Sequence, residues 1–231
     1  MSMTHKTPTL YYIHDPMCSW CWGFRPVWES IRQGVTEQFP QLAVEYIVGG
    51  LAPDSDVPMP AEMQATLEAT WAHIQRVIPN TAFNYEFWRI CSPRRSTYPA
   101  CRAVLAAKQE SPGAEEAMIL AIQQAYYFHS RNPSDADTLI HCAQQVGLDC
   151  NEFEKALISE EIEGMLQSHL LHYRQLSERS GASGFPSLVL AYQGSSIDVI
   201  EYLNISIDYN DPDVSLRIIT ACLHASDVQK I

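Results

Sequence analysis

The sequence contains little positive charge and no long apolar run, and these absences exclude several classes of protein. Its 231 residues include 15 Lys and Arg against 27 Asp and Glu, for a formal net charge of −12. Surfaces that bind nucleic acid or anionic membranes need clustered Lys and Arg, so neither partner is expected. No stretch approaches the ~18 apolar residues of a membrane-spanning helix. Residues 1–16 show no apolar core of an export signal, so a cytoplasmic location is expected.

A second close pair of cysteines is also missing. Among seven cysteines only Cys18 and Cys21 form a C-x-x-C pair, and a structural zinc site usually shows two such pairs. An odd cysteine count in a cytosolic protein argues against a disulfide framework. We therefore expect no metal and no cofactor. The scattered cysteines are interpreted as small buried hydrophobes: Cys91, Cys101, Cys142, Cys150 and Cys222.

The first fifty residues show a strand, helix and strand in succession. The segment 9–14 (TLYYIH) and the segment 42–48 (LAVEYIV) are typical of buried strands. Between them, apolar residues recur at helical spacing: Trp20, Phe24, Val27, Ile31 and Val35. This order predicts a βαβ unit with a parallel strand pair.

The rest of the chain divides into a helical block and a second strand region. From about residue 60 to 178 the periodicity is helical, and one of these helices, starting near residue 98, has Ser96 or Thr97 as its candidate cap. Strand patterns return at 187–192 and 196–202, with a turn at 193–195, and predict a β-hairpin. The last helix has Asp211 as its expected N-cap and an apolar stripe of Val214, Ile218 and Cys222. The predicted domains are 1–58 with 179–231, and 59–178.

The C-x-x-C pair lies in the segment DPMCSWCWGF, residues 15–24. About 0.2 such pairs are expected by chance at this cysteine content, so the pair alone is only suggestive. Its position is more informative, because a predicted strand passes there into a predicted helix. Cys18 would lie at the helix N-terminus, where unpaired N–H groups and the macrodipole stabilise a thiolate. Cys21 would lie one turn further in and could close a disulfide, which favours redox chemistry.

Two further features accompany the motif. Pro26 interrupts the helical stripe, where a kink is expected, and Pro186 stands at the start of the third strand in GFPSLVL. Together with the motif, they resemble the thioredoxin fold in its DsbA-like branch. The chain is similar to cytosolic relatives described as predicted disulfide isomerases or FrnE-like proteins. The resemblance implies an α/β protein, a thioredoxin fold with an all-helical domain inserted between the second and third strands.

The resemblance also implies roles for individual residues. Cys18 would be the attacking thiolate, Cys21 the resolving thiol and Pro186 a cis-proline. Substrate contacts are expected from Ser19, Trp20 and the backbone of Phe185. The implied function is a cytosolic thiol–disulfide oxidoreductase or isomerase that acts on protein or small thiol and disulfide substrates through mixed disulfides. The direction of the reaction and the oligomeric state stay open.

Two other functions fit parts of the same pattern. Kappa-class glutathione transferases and hydroxychromene-carboxylate isomerases share the fold and the insertion, and they bind glutathione beside the cis-proline. Their usual residue at the position of Cys18 is serine, so cysteine here disfavours them. A non-catalytic holdase is the third candidate, with an exposed aromatic surface formed by Trp20, Trp22, Phe24 and Trp28.

Two polar residues precede the motif. Asp15 either relays a proton to Cys21 through water or simply opens the Asp-Pro turn. His14 ends an apolar strand, and a structural role is expected for it rather than assistance in the chemistry.

Overall fold

The computed structural model describes residues 7–194 and 199–228, which form two compact units. The strand unit comprises the described residues within Met1–His14, Phe24–Ile47 and His172–Ile231. The helical unit comprises Asp15–Gly23 and Val48–Leu171, so it includes the C-x-x-C segment. The domain division at 1–58 with 179–231, and 59–178, stays a prediction.

The first three elements follow the predicted order. Strand β1 covers Thr9–His14, helix α1 covers Ser19–Gln38 and strand β2 covers Ala43–Val48. Helix α1 continues through Pro26, which is exposed. Its predicted apolar face is buried at four positions, namely Phe24, Val27, Ile31 and Val35.

The chain between β2 and β3 is helical, which confirms the predicted insertion. Two of its helices were not singled out by periodicity because they are short, at 4 and 8 residues. The longer of these is capped by Asp149, whose side chain accepts from the backbone N–H groups of Asn151 and Glu152. The inserted helices are α2 (Ala61–Val77), α3 (Phe87–Ile90), α4 (Tyr98–Glu110), α5 (Ala114–Tyr127), α6 (Ala136–Val146), α7 (Cys150–Leu157) and α8 (Glu160–Ser180).

The described strands form one sheet in the order β2-β1-β3-β4. Strand β3 (Ser187–Gln193) runs antiparallel to β1, with Tyr11 opposite Val189, and antiparallel to β4 (Ile200–Ile205). Residues 195–198 lie outside the described part of the chain, so the predicted turn at 193–195 and the start of the predicted strand 196–202 are only partly covered. The core beside the sheet contains Ile13, Ile47, Leu176, Ala182 and Val189.

The last helix, α9, covers Pro212–Val228 and corrects one prediction. Asp211 caps it as expected, because its carboxylate accepts from the N–H of Asp213 at 2.9 Å. The predicted apolar stripe is wrong, since Val214, Ile218 and Cys222 are only half-buried. The buried positions are each one residue further along: Ser215, Ile219 and Leu223.

The reason for the shifted face is a buried hydroxyl that periodicity does not register. A spacing of four residues fits two adjacent faces of α9, the predicted stripe and the set of residues one position further along. Helix α9 packs against β3 and β4, and the second of these faces is the buried one. Ser215 is tolerated there because its hydroxyl donates to the carbonyl oxygen of Ser206 at 2.8 Å. Across residues 7–194 and 199–228, no helix combines the length and the apolar character needed to cross a membrane.

Candidate active site

The two cysteines of the motif occupy unequal positions at the start of α1. Cys18 directly precedes the helix, and its Sγ accepts a hydrogen bond from the backbone N–H of Cys21 at 3.4 Å. Cys18 therefore takes the place of an N-cap residue, with sulfur as the acceptor. A hydrogen bond donated to sulfur at a helix N-terminus stabilises thiolate over thiol. Cys18 is 6% exposed, whereas Cys21 is fully buried.

The Cys21 thiol is held in its protonated form. Burial raises the pKa of Cys21 well above its ordinary value, and its hydrogen bond and charge interaction with Cys18 raise it further. A backbone hydrogen bond from Asp15 opposes this shift. Cys21 is therefore a thiol at neutral pH, and a base is needed before its sulfur becomes nucleophilic.

Asp15 places a fully buried carboxyl group next to the motif. Its Oδ1 accepts from the N–H of Met17 at 2.8 Å, the hydrogen bond of a turn-opening aspartate. Its Oδ2 accepts from the N–H of Leu51 and from the hydroxyl of Thr97, both at 2.7 Å, and Cys101 Sγ lies 3.7 Å away. Burial raises the pKa of Asp15, while these donors lower it. The turn role is thus observed, and the proton relay stays a prediction.

A glycine with a left-handed backbone brings Leu51 to Asp15. Gly50 has φ +62°, and a Cβ added there would lie 2.6 Å from Tyr98 Cε1 and 2.8 Å from Leu170 Cδ2. A side chain at this position is excluded by both conformation and space. The chain can therefore turn directly after β2 and present the Leu51 N–H to the buried carboxylate.

The predicted cap of helix α4 is not formed. Thr97 occupies the N-cap position, but its side chain makes no capping hydrogen bond. Its hydroxyl donates to Asp15 instead, and the hydroxyl of Ser96 accepts from the N–H of Ser55 at 3.2 Å. Both candidate caps are committed to contacts distant in sequence, which a local cap motif does not reveal.

Aromatic residues hold the first turn of α1 within the helical unit. The hydroxyl of Tyr127 donates to the carbonyl oxygen of Met17 at 2.9 Å, and Trp22 stacks on the Tyr127 ring at 5.6 Å. The indole N–H of Trp22 also donates to Ala82 O at 3.0 Å. Tyr127 was not predicted as a site residue, because it lies 110 residues from Met17 and carries no motif of its own.

The other predicted substrate contacts on α1 are partly accessible. Ser19, the first residue of the helix, and Trp20 are both half-buried, and Trp20 meets the His73 ring edge-on at 5.7 Å. Phe24 and Trp28 are buried core residues, at 0% and 3% exposure. Half of the aromatic set considered for a holdase surface is therefore not available to a partner.

The Phe185–Pro186 peptide bond is cis, in agreement with the conformation implied by the resemblance. Helix α8 holds this loop within the strand unit. The Tyr173 hydroxyl accepts from the N–H of Gly184 at 3.2 Å, and the Tyr173 and Phe185 rings pack at 5.0 Å. Pro186 is buried and Phe185 is half-buried. Their predicted roles toward Cys18 and substrate stay predictions.

His14 is fully buried between two tyrosine rings, as expected of a structural residue. It stacks on Tyr12 at 5.2 Å and meets the ring of Tyr46 edge-on at 5.9 Å. Within the described residues, no group of three or more His, Cys, Asp or Glu side chains is arranged to hold a metal ion.

Comparisons with known proteins agree with this architecture. A family model described as the DSBA-like thioredoxin domain matches residues 10–201. A Nitrosomonas europaea structure, provisionally described as a protein disulfide isomerase, has a TM-score of 0.78 and 27% identity, with 95% of this chain and 99% of that chain covered. The cytosolic disulfide reductase DsbM from Pseudomonas aeruginosa has a TM-score of 0.74 at 24% identity, over 94% and 99% of the two chains, and shows the fold alone.

Two further likenesses are more limited. A DsbM structure with GSH matches at a TM-score of 0.70 and 23% identity, over 94% of this chain and 99% of that chain. The ClpXP adapter protein SpxH from Halalkalibacterium halodurans is 27% identical over 158 residues, which is 67% of this chain. The match spans only 50% of the length of SpxH.

The buried Asp15 carboxyl predicts a characteristic pH dependence of stability. Burial raises its native pKa above the unfolded value of ~3.9, so the native state binds this proton more tightly. The resulting stabilisation is complete below about pH 4 and is lost as the pH rises through the native pKa. We expect the unfolding free energy of wild type minus that of Asp15→Asn to fall as the pH rises above about 4, measured by urea unfolding.

The matched control is Asp137→Asn, at an exposed position in the first turn of α6. The unfolding free energy of wild type minus that of Asp137→Asn should change little over the same pH range. A difference for Asp15→Asn that is constant, or that rises with pH, would show that burial does not dominate at this carboxyl.

Proposed function

Because this chain belongs to the DSBA-like thioredoxin-domain family, we propose that it is a thiol–disulfide oxidoreductase acting through the Cys18–Cys21 dithiol. The observation that carries the proposal is the hydrogen bond from the Cys21 N–H to Cys18 Sγ. It supports a division of labour in which Cys18 is the nucleophile. Cys21, fully buried and with a raised pKa, is the thiol that resolves.

The proposed cycle balances two electrons and two protons. The Cys18 thiolate attacks one sulfur of a substrate disulfide, forms a mixed disulfide and releases the other sulfur as a thiolate. Cys21 then loses its proton and attacks the Cys18 sulfur, and the bond between Cys18 and the substrate breaks. The substrate leaves reduced, and the protein retains the Cys18–Cys21 disulfide. Two external thiols reduce the Cys18–Cys21 disulfide in turn and leave joined as a disulfide, and the oxidising direction uses the same steps in reverse order. In isomerisation a substrate thiol displaces Cys18 from the mixed disulfide, with no net change of oxidation state.

We assign the proton relay in this cycle to Asp15. Its carboxyl is buried beside the dithiol, and its backbone is hydrogen-bonded to Cys21. Burial raises the pKa of Asp15, which brings its proton affinity closer to that needed at neutral pH. A carboxylate here can take the Cys21 proton during resolution and return it in the reverse step.

The remaining assignments extend the proposal to substrate and location. Ser19, Trp20 and the backbone of Phe185 contact the substrate, and Pro186 presents that backbone as an added strand. Protein disulfides and small disulfides are the proposed substrates. A cytosolic location is proposed with them, because DsbM is described as cytosolic.

Glutathione is the alternative ligand, and the DsbM structure with GSH is the observation that favours it. A glutathione-dependent transferase or isomerase needs cationic groups for the two carboxylates of the tripeptide. Two arginines that could supply positive charge already bind carboxylates: Arg25 pairs with Glu29 at 2.9 Å, and Arg94 pairs with Asp135 at 2.5 Å. These pairs support a glutathione that serves as an exchanging thiol rather than a tightly bound cosubstrate.

Replacing Cys21 with serine tests the dithiol directly. Cys21→Ser should accumulate mixed disulfides in cells, because Cys18 can attack a substrate but nothing displaces it. Acid-quenched extracts on non-reducing gels should show adducts that disappear with dithiothreitol and are at least about tenfold weaker in Cys18→Ser.

Equal adducts in both variants would assign the exchange to another cysteine. Client binding without any adduct in either variant would instead support the holdase function.

Glutathione affinity distinguishes the two enzyme classes. In Cys18→Ser, which cannot form a mixed disulfide at that position, we expect a dissociation constant of about 1 mM or weaker by calorimetry. Arg94→Gln provides the control, since an arginine already paired with Asp135 should change this value by less than about threefold. A micromolar constant in Cys18→Ser would contradict the oxidoreductase proposal and support the transferase or isomerase class.

A further inference from the structure

The hydroxyl of Thr97 does not cap the helix that follows it. An N-cap threonine ordinarily accepts a hydrogen bond from a backbone N–H in the first turn. Thr97 makes no such bond, although it occupies the N-cap position of α4. Thr97 is 4% exposed, and its hydroxyl is bonded within the protein.

The hydrogen bonds at this hydroxyl fix its direction. The N–H of Ala52 donates to Thr97 Oγ1 at 3.1 Å, so that oxygen already acts as an acceptor. The hydroxyl proton then lies toward Asp15 Oδ2 at 2.7 Å, with Ala52 O as a more distant acceptor at 3.4 Å. The Thr97 hydroxyl therefore donates to the Asp15 carboxylate.

The two oxygens of Asp15 differ in the number of donors that face them. Oδ2 receives the N–H of Leu51, the Thr97 hydroxyl and the more distant Cys101 thiol. Among the donors in residues 7–194 and 199–228, the N–H of Met17 alone faces Oδ1. A proton arriving at Asp15 therefore binds Oδ1, while the donors at Oδ2 favour the ionised form.

The groups that stabilise the ionised form of Asp15 are neutral hydrogen-bond donors. Thiols and phenols from the start of α1, from α4 and from α5 lie around Asp15, and among the described residues no Lys or Arg forms an ion pair with it. The cation next along α4, Arg102, is bound by Asp54 at 2.6 Å and Glu163 at 3.0 Å. The thiols and phenols are those of Cys18, Cys21, Cys101, Tyr126 and Tyr127.

We propose that Thr97 is a positioning residue that keeps Asp15 ionised and ready to take the Cys21 proton in the resolving step. The proposal rests on the proposed function of the dithiol. In that step the Cys21 S–H bond breaks and its proton binds Asp15 Oδ1. The Cys21 sulfur bonds to the Cys18 sulfur, and the substrate sulfur leaves with the electron pair of the broken mixed disulfide.

The probe is 5,5′-dithiobis(2-nitrobenzoate), an aromatic disulfide that releases a coloured thiolate in each half of the cycle. In stopped-flow mixing with reduced protein, the first phase reports attack by Cys18 and the second reports resolution by Cys21. The second phase is identified by its absence in Cys21→Ser. Its rate against pH should show an inflection that belongs to Asp15.

Thr97→Val keeps the shape of the side chain and removes both the donor to Asp15 and the acceptor of the Ala52 N–H. Loss of one hydrogen bond to a carboxylate should move the inflection up by about one pH unit and slow resolution about threefold or more below it. The first phase should change by less than about twofold, because its nucleophile does not bind Thr97. Thr97→Ser retains the hydroxyl and should restore the wild-type inflection.

A second variant keeps the test independent of the folding of Thr97→Val. Cys101→Ala removes the donor at 3.7 Å and should move the inflection in the same direction by a smaller amount. An unmoved inflection in both variants, with both phases normal in wild type, would overturn the role of Thr97 alone. A wild-type protein without a Cys21-dependent phase would overturn the proposed function and the role of Thr97 together.

Discussion

Burial of one carboxyl group organises the segment that carries the dithiol. A carboxylate removed from water is costly unless donors replace its hydration, and Asp15 is fully buried. Its donors come from the turn after β1, the turn after β2 and the start of α4, through Met17, Leu51 and Thr97. The same requirement fixes the left-handed Gly50 and diverts Thr97 from capping. Asp15 thus joins three pieces of chain around the first turn of α1.

This arrangement gives the two cysteines different chemistry although they are one helical turn apart. Cys18 lies at the helix end and receives the N–H of Cys21, whereas Cys21 is enclosed and its pKa is raised by burial. Tyr127 also holds this turn, through a hydrogen bond to the carbonyl of Met17 and a ring stacked on Trp22. The asymmetry therefore arises from position along the helix, from burial, and from the interaction with Cys18 that raises the pKa of Cys21 further.

Most of the secondary structure could be predicted from the sequence, because the periods of strands and helices differ and β1, β2 and β3 are strongly apolar. The prediction was wrong where two adjacent faces of one helix fit the same residue spacing. The buried face of α9 was displaced by one residue, since a polar Ser215 finds an acceptor in Ser206. The short helix α3 has too few residues to show any period.

The candidate site was predictable only as far as it is local. Cys18, Cys21 and Asp15 lie within one short motif, and the resemblance pointed to the cis bond at Phe185–Pro186. The donors to Asp15 lie 36 and 82 residues away at Leu51 and Thr97. Such contacts form only when distant segments of the chain pack around the buried carboxyl group, and no residue spacing in the sequence predicts them.

The central claim is that position at the helix N-terminus, rather than exposure, makes Cys18 the reactive thiol. Cys18 is only 6% exposed, whereas Cys91, Cys150 and Cys222 are all half-buried. The most direct measurement is the alkylation rate of every cysteine in the reduced native protein at neutral pH, resolved by peptide mass spectrometry. The account predicts that Cys18 is labelled first, at least about tenfold faster than the three more exposed thiols. Labelling that follows exposure, with Cys18 among the slow sites, would contradict it.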